Sequence, residues 1–243
     1  MNTIRSVIFN FCFYIGSLFW SLALLWTLPL GHKMCARITG SVYGWYMGWI
    51  ERNIMGLRLV IRGRENLPKE GPYIIAAKHQ SAYETLNLPF MESLNFPTVV
   101  LKKELTRIPI WGWYLWGMGQ VAIDRGSGAE ALQSIVRGCK RSFSQGRPVL
   151  IFPQGTRVPV GVQAPYKPGL AKVYRDLQVP IVPMALNSGL FWGRKAFFKK
   201  PGTIVYEFLP PIPAGLPPLQ MMARLEQETE TAVNRLCQVQ PHD

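Results

Sequence analysis

The sequence is poor in the residues that hold metals and disulfides. Its 243 residues include three histidines and four cysteines, and the cysteines are scattered without a C-x-x-C pair. A disulfide framework and a metal site are therefore not expected, and a reducing compartment suits the free thiols. The G-x-S-x-G elbow of many hydrolases and the G-x-x-x-x-G-K-[ST] phosphate loop are also missing, which argues against those two kinds of site.

Acidic residues are scarce as well. The chain has 14 Asp and Glu against 27 Lys and Arg, a formal net charge of +13. Such a charge attracts polyanions: nucleic acid, anionic lipid headgroups or phosphorylated substrates. Hydrophobic residues make up 48% of the chain, so it can form a sizeable core and is not globally disordered. The basic residues are dispersed along the chain, so we do not expect a nucleic-acid partner.

The N-terminal part contains one long uncharged run, residues 6–31. As a helix it would span roughly 39 Å, enough for a hydrocarbon core of about 30 Å. A cleaved signal peptide is the alternative, but it has a shorter apolar region and a small-residue cleavage site. Lys33 and Arg37 follow the run, whereas only Arg5 precedes it. This bias predicts a retained membrane anchor with the rest of the chain in the cytoplasm, at the inner membrane.

A second apolar segment, "ITGSVYGWYMGWIERNIM", follows and is rich in Trp and Tyr. Gly40, Gly44 and Gly48 repeat every fourth residue, a ridge that lets two helices approach closely in lipid. We predict a second helix packed on the first or lying in the interface, rather than a soluble core helix. The expected division is a membrane-anchoring segment, residues 1–55, and a second domain, residues 56–243.

The second domain alternates short apolar runs with helical stretches. The runs are rich in β-branched residues and bounded by Gly and Pro, as strands are: "LRLVIRG", "PYIIAA", "PTVVL", "QVAI", "PVLIF", "PIVPMAL" and "TIVYEF". The clearest helix is "GAEALQSIVRGCKRSFSQG". We predict an α/β fold with a mostly parallel or mixed sheet flanked by helices, preceded by the two-helix hydrophobic membrane anchor. Sites in such folds collect beyond the carboxyl ends of the strands.

The stretch "KHQSAYETL" follows one predicted strand and contains His79 and Glu84. One interpretation is structural: Ser81 and Glu84 match the S-x-x-E capping box at a helix start. The other is catalytic: Glu84 accepts the Nδ1 proton of His79 and leaves Nε2 as a base. The motif by itself does not decide between them.

Three basic elements also follow predicted strands. The stretch "FPQGTR" comprises, after Phe152, the residues Pro153, Gln154, Gly155, Thr156 and Arg157. Its Pro and Gly predict a tight turn, and Arg157 offers a fork for phosphate. Arg125 ends "GQVAIDR", and Lys103 follows "PTVVL". Each of these cations has a bland alternative as a solvated side chain. Together with His79 and Glu84, they describe a base aimed at a hydroxyl and cations that hold a phosphate beside a lipid surface.

These motifs resemble those of the membrane-bound glycerolipid acyltransferases, specifically the 1-acylglycerol-3-phosphate acyltransferases. The family's H-x4-D block is matched by His79 and Glu84, and its second block by "GQVAIDR". Its F-P-E-G-T-R block is matched by "FPQGTR", and its V-P-I-V-P stretch by residues 179–183. The blocks occur in the family's order. Two residues depart from the pattern: Glu84 stands for the usual Asp, and Gln154 stands for the usual Glu.

The resemblance implies acyl transfer from acyl-CoA or acyl carrier protein to the sn-2 hydroxyl of lysophosphatidic acid, which gives phosphatidic acid. It implies His79 as the general base and Glu84 as the carboxylate that orients it. Arg125 and Arg157, with help from Lys103, would bind the phosphate, and the "PQGT" turn would shape that pocket. Neither a metal nor another cofactor is implied. The implied partners are a lyso-lipid acceptor, the acyl donor and an anionic bilayer surface.

Three alternatives stay open at this point. Ser81 is a candidate nucleophile for a covalent route. Gln154 favours another lyso-lipid acceptor, such as a lyso-ornithine lipid. The basic and aromatic stretch "FWGRKAFFKK", residues 191–200, suits a non-catalytic membrane protein that binds anionic lipid or an acidic carrier protein.

Overall fold

All seven predicted strands form, and the pairings make the fold mixed α/β. A computed structural model of the chain describes residues 2–124, 126 and 128–238. In this part of the chain the strands are β1 Leu57–Arg62, β2 Ile74–Ala77, β3 Thr98–Lys102, β4 Val121–Ile123, β5 Val149–Ile151, β6 Ile181–Leu186 and β7 Gly202–Phe208. The helices are α1 Asn2–Ala23, α2 His32–Ile50, α3 Tyr83–Asn87, α4 Trp111–Gly117, α5 Ala129–Ser144, α6 Gly169–Leu177 and α7 Pro218–Gln238. The prediction of an α/β fold with a mixed sheet and flanking helices is confirmed.

The chain groups into two compact units. The first unit comprises the residues up to Met55 together with Thr85–Val149, and the second unit comprises Gly56–Glu84 together with the residues from Leu150 onward. The second unit is therefore discontinuous in sequence. The predicted domain division at residue 55 stays a prediction.

The first unit contains the N-terminal helices. The segment Thr3–Ala23 of α1 is, in the described part of the chain, the one helix whose length and composition suit a membrane crossing. A helical turn, Leu25–Leu30, contains Pro29, and Gly31 follows with a φ of +83°. That positive φ favours glycine, so the chain changes direction there before α2 begins. The retained anchor and its orientation stay predictions.

α2 packs on α1, but the contact differs from the one predicted. Ser17 and Tyr43 share a buried hydrogen bond of 2.9 Å, and the Tyr46 hydroxyl donates to the Cys12 carbonyl at 2.6 Å. The glycine that this contact needs is Gly16, since a Cβ there would lie 1.9 Å from the Tyr46 hydroxyl oxygen.

The predicted glycine ridge on α2 does not form the contact with α1. A Cβ on Gly40 would lie 2.6 Å from the Phe96 ring, and one on Gly44 would lie 3.3 Å from the Phe90 carbonyl oxygen. At Gly48 a Cβ would meet no described atom within 4 Å. The ridge therefore makes room for the segment that contains Phe90 and Phe96, because Gly16 opposite Tyr46 already gives α1 and α2 their close approach.

The strands of the second unit have a mixed pairing. β1 pairs parallel with β7, β7 pairs antiparallel with β6, and β6 pairs parallel with β2. α7 packs on this sheet, and Ala232, Val233 and Leu236 form a buried cluster with Ala185 of β6 and Val205 of β7. β2 and β6 have every residue buried, as expected for strands covered on both faces. Polar residues that follow these two strands therefore begin at the edge of a rigid core.

Candidate active site

His79 and Glu84 face each other in the second unit. His79 lies two residues beyond the end of β2, and Glu84 is the second residue of α3. The His79 Nδ1 atom is 3.5 Å from the Glu84 Oε2 atom; the histidine side chain is 12% exposed and the glutamate is fully buried. This distance exceeds an ordinary N–H···O hydrogen bond. Catalytic hydrogen bonds are often long without substrate and tighten when it binds.

The buried Glu84 carboxylate is surrounded by donors. The backbone N–H of Gln80 donates to Oε1 at 3.2 Å, and the backbone N–H of Ser81 donates to Oε2 at 3.0 Å. The Ser188 hydroxyl, beyond the end of β6, donates a third hydrogen bond to Oε1. A buried carboxylate is costly unless it is compensated in this way. The donors compensate the burial of the Glu84 carboxylate and fix its position opposite the imidazole.

The capping box and the His–carboxylate pair coexist. The Ser81 hydroxyl accepts a 3.0 Å hydrogen bond from the backbone N–H of Tyr83, and Glu84 accepts from the backbone N–H of Ser81. The same carboxylate therefore caps the start of α3 and faces His79. The Ser81 hydroxyl thus has a capping role in this geometry, and the alternative of Ser81 as a nucleophile stays a hypothesis.

Phe152 and the "PQGT" turn flank His79. The imidazole stacks on the Phe152 ring with 4.0 Å between centroids and 18° between planes. The backbone N–H of Val158 donates to the His79 carbonyl at 2.8 Å, which ties the two sequence blocks together. The turn closes through Gly155, whose φ is +66° and whose N–H donates to the Phe152 carbonyl at 2.9 Å. These contacts fix the ring plane of the imidazole.

The turn leaves two groups available for a ligand. Gln154 is buried and donates to the Ala164 carbonyl at 3.2 Å, while its Oε1 atom has no hydrogen-bond partner among the described residues. Arg157 is half-buried, and its guanidinium forms no ion pair with a described carboxylate. Thr156 is exposed and Pro153 is buried, with the Pro153 carbonyl accepting from the Lys167 N–H at 2.9 Å.

No contact among the described residues places the two other predicted cations, Lys103 and Arg125, at this site. Lys103 is exposed and belongs to the first unit, where it begins a helical turn after β3. Arg125 lies outside the described residues. Their roles stay predictions.

A buried ion pair lies directly beside His79. Lys78 is 2% exposed, and its Nζ atom is 2.7 and 2.8 Å from the two carboxylate oxygens of Glu230 on α7. The Tyr166 hydroxyl donates to the same carboxylate at 3.0 Å. Burial, together with the nearby Glu230 charge, raises the pKa of Tyr166, so the phenol keeps its proton and remains a donor. Sequence patterns did not identify Ser188, Tyr166 or Glu230; the one usable signal was the polar Ser188 after a fully buried strand.

The arrangement can perform base catalysis. A neutral imidazole whose Nδ1–H points at a carboxylate has its lone pair on Nε2. Among the described residues no group of three or more His, Cys, Asp or Glu could hold a metal ion.

The comparisons with known proteins identify the family of the chain. The sequence model of the Acyltransferase family matches residues 58–187, a range that includes His79, Glu84 and the turn at residues 153–157 but ends before Ser188. The chain therefore belongs to the acyltransferase family.

The chain is 33% identical over 237 residues to the 1-acyl-sn-glycerol-3-phosphate acyltransferase of Pseudomonas aeruginosa, covering 96% of this chain and 90% of that protein. It is 30% identical over 200 residues to the enzyme of the same name from Limnanthes douglasii, covering 82% and 69%. The chain is thus an enzyme of the 1-acyl-sn-glycerol-3-phosphate acyltransferase family, as its motifs predicted.

A solved structure has the same fold. The 1-acyl-sn-glycerophosphate (LPA) acyltransferase PlsC of Thermotoga maritima superposes with a TM-score of 0.76 and covers 97% of this chain and 98% of its own. The two sequences are 21% identical, so this likeness concerns the fold alone.

Proposed function

We propose that the protein transfers a fatty acyl group from acyl-CoA or acyl carrier protein to the sn-2 hydroxyl of 1-acylglycerol-3-phosphate and so forms phosphatidic acid. The observation that carries the proposal is the His79–Glu84 pair, in which a buried carboxylate with three donors faces the imidazole. The family relatives named for this reaction support the choice of substrates.

His79 acts as the general base. Its Nε2 atom takes the proton of the sn-2 hydroxyl as the oxygen attacks the thioester carbonyl carbon. Glu84 stabilises the imidazolium that results. When the tetrahedral intermediate collapses, the C–S bond breaks, and the thiolate takes the proton back from His79. General-base catalysis contributes about 10²- to 10⁴-fold, so positioning and stabilisation of the oxyanion supply the rest of the rate.

The phosphate of the acceptor is bound by the available cations. Arg157 is adjacent to Val158, which hydrogen-bonds the His79 backbone, and its guanidinium can bind two phosphate oxygens at once. Arg125 and Lys103 complete the phosphate site in this proposal. The turn formed by Pro153, Gln154, Gly155 and Thr156 shapes it, as described above. The reaction needs no cofactor, because the thioester already activates the acyl group.

The reaction takes place at the cytoplasmic face of the inner membrane. The apolar helix within α1 supports a membrane location, and the positive residues that follow it support a cytoplasmic domain. Both substrates fit this location, since the acceptor resides in the bilayer and the thioester donors are soluble.

The test is acyl transfer from radiolabelled acyl-CoA, and separately from acyl carrier protein, to 1-acylglycerol-3-phosphate in detergent. His79→Ala should lose about 10²- to 10⁴-fold in kcat, the contribution of a general base. His32→Ala is the matched control, because it also removes an imidazole but lies in the first unit. His32 is half-buried, and its Nδ1 atom is 3.4 Å from the Gln145 Nε2 atom. This variant should keep its activity. Activity of His79→Ala within a few-fold of wild type, with the fold intact by circular dichroism, would overturn the proposal.

A second candidate acceptor is favoured by Gln154. Its buried Oε1 atom is an acceptor without a described partner, and it stands where the family pattern has a carboxylate. A lyso-lipid with a hydrogen-bond donor in its headgroup, such as a lyso-ornithine lipid, would satisfy it. Competition between this lipid and 1-acylglycerol-3-phosphate for the same labelled donor separates the two: the better acceptor suppresses transfer to the other.

A further inference from the structure

A loop of the second unit, residues 191–200, exposes two neighbouring aromatic rings. Phe197 is 53% exposed and Phe198 is 58% exposed, and their centroids are 5.1 Å apart in an edge-on arrangement. The loop lies between β6 and β7. Adjacent large apolar side chains on a surface commonly mark an interaction site, because leaving apolar surface exposed to water costs free energy.

The loop is also strongly basic. Arg194, Lys195 and Lys200 are all exposed. The sequence contains no Asp or Glu between Asp176 and Glu207, so these cations face no acid of their own segment. Phenylalanines flanked by Lys and Arg match the boundary of an anionic bilayer, where rings enter the acyl region and cations meet the headgroup phosphates.

The loop is held in one shape by its own contacts. The backbone N–H of Lys200 donates to the Phe191 carbonyl at 2.9 Å, which closes the loop at its base. Trp192 and Lys199 are buried, and the Lys199 Nζ atom lies 4.6 Å from the centre of the Trp192 ring. Lys199 also donates to the Phe197 carbonyl at 3.2 Å. Because this shape is already formed, binding costs little conformational entropy.

The base of the loop touches the residues of the active site. The Trp192 ring packs edge-on against Tyr83 with 6.1 Å between centroids, and Tyr83 precedes Glu84. Ser188, three residues before the loop, donates to Glu84. The loop is therefore connected by these two contacts to Glu84, the carboxylate that faces His79.

We propose that residues 191–200 dock the second unit on an anionic bilayer, with Phe197 and Phe198 inserted among the lipids and Arg194, Lys195 and Lys200 bound to lipid phosphates. This membrane contact is separate from the apolar helix of the first unit. It orients the His79 site toward the bilayer that holds the acceptor. The docking does not depend on which lyso-lipid is acylated.

Hydrogen–deuterium exchange of the full chain in nanodiscs tests the docking. One set of nanodiscs contains phosphatidylcholine alone, and the other contains about one-third phosphatidylglycerol, a composition that mimics an anionic leaflet. The peptides covering residues 191–200 should exchange about tenfold more slowly in the anionic discs, because each cation near the surface adds to the attraction. This readout does not require enzyme activity, so it is independent of the proposed reaction.

Three variants sharpen the experiment. Phe197→Ser with Phe198→Ser, and Arg194→Gln with Lys195→Gln and Lys200→Gln, should each abolish the protection. Val162→Ser is the matched control: it removes a 50% exposed apolar side chain elsewhere in the second unit and should leave the protection intact. Acyl transfer to a short-chain acceptor in detergent should be unchanged in all three.

Two results would overturn the proposal. One is equal exchange of the loop in detergent and in both kinds of nanodisc. The other is a loop that shows no protection in nanodiscs, together with loop variants that lower transfer from acyl carrier protein but not from acyl-CoA. That result would assign the loop to binding of the acidic carrier protein instead.

Discussion

At the scale of a single residue, the contact of Ser188 with Glu84 bears most directly on the site. It is fully buried, and its hydroxyl donates to the Glu84 oxygen that also accepts from the Gln80 backbone. A serine in this position adds no charge, and its described hydroxyl contact is with the carboxylate. It holds the carboxylate that faces His79, the base in the proposed reaction, so we assign Ser188 a positioning role.

Ser188→Ala removes this donor and leaves a small change in volume. A hydrogen bond to a charged group contributes about 1.5–3 kcal/mol, so we expect kcat to fall roughly 10- to 100-fold. The acceptor KM should stay unchanged, because Ser188 is not proposed to touch the phosphate. Steady-state kinetics in detergent measure the split, and Ser188→Thr, which keeps a hydroxyl, should recover part of the rate. A loss of folded protein equal to the loss of rate would contradict a positioning role.

Residue patterns predicted part of this site. His79 and Glu84 could be paired from the sequence because they are five residues apart at the end of one strand, so their contact is local. Ser188 and Glu230 could not, since they reach the site from 104 and 152 residues away and no periodicity encodes such contacts. The cations that are proposed to bind phosphate fall between these cases: Arg157 is next to Val158, which contacts the His79 backbone, whereas Arg125 lies outside the described residues.

At the scale of elements, α7 is joined by an ion pair to the segment that follows β2 and contains His79. Glu230 on α7 receives both the buried Lys78 ammonium and the Tyr166 hydroxyl. Lys78 occupies the position between β2 and His79. A buried ammonium whose partner is removed is left uncompensated, which destabilises far more than loss of a surface pair.

Glu230→Ala should therefore lower the free energy of unfolding by about 3–5 kcal/mol. Glu228→Ala is the matched control two residues away, because Glu228 pairs at 2.7 Å with Arg224 on the partly exposed side of the same helix. That i,i+4 pair contributes about 0.3–0.5 kcal/mol. Urea unfolding of the detergent-solubilised protein compares the two variants. Equal losses would mean that the Lys78 ammonium reaches water without Glu230.

Element types were easier to predict than their contacts. The strands have β-branched residues between Gly and Pro, and each of the seven formed where the pattern indicated. The glycines of α2 show the limit. Their spacing correctly indicates a face with close approach, but it contains no information on which segment approaches, and Phe90 and Phe96 occupy it. Pairing of the strands, mixed rather than parallel throughout, likewise depends on contacts distant in sequence.

At the scale of the whole molecule, the chain combines a net charge of +13 with a helix whose surface is apolar. On α1, Phe11 is 66% exposed and the other exposed large side chains include Ile4, Tyr14, Leu18 and Phe19. Water is a poor environment for such a surface, whereas lipid suits it. We expect the charge to attract the protein to an anionic membrane and this helix to account for its retention there at high salt.

Phe11→Arg should weaken that retention. A charged residue near the middle of a lipid-embedded helix costs about 2.5–3.5 kcal/mol on insertion scales. We expect more of the full-length variant than of wild type in the supernatant after extraction of membranes with alkaline carbonate. Gln133→Arg adds the same charge at an exposed position of α5 and should leave the distribution unchanged. Identical extraction of both variants would show that α1 is not what retains the protein.

The discontinuous second unit has a consequence for the time at which the enzyme becomes active. Lys78 and Glu230 are 152 residues apart, and Glu84 and Ser188 are 104 residues apart. At a ribosomal rate of about 5–20 residues per second, roughly 8–30 s pass between the synthesis of Lys78 and that of Glu230. During this interval α1 has already been made, while the groups that hold the carboxylate and the neighbouring ammonium do not yet exist. Under the proposed function, the nascent chain should therefore be able to reach a membrane well before it can acylate a lipid there, because α7, which carries Glu230, is made late.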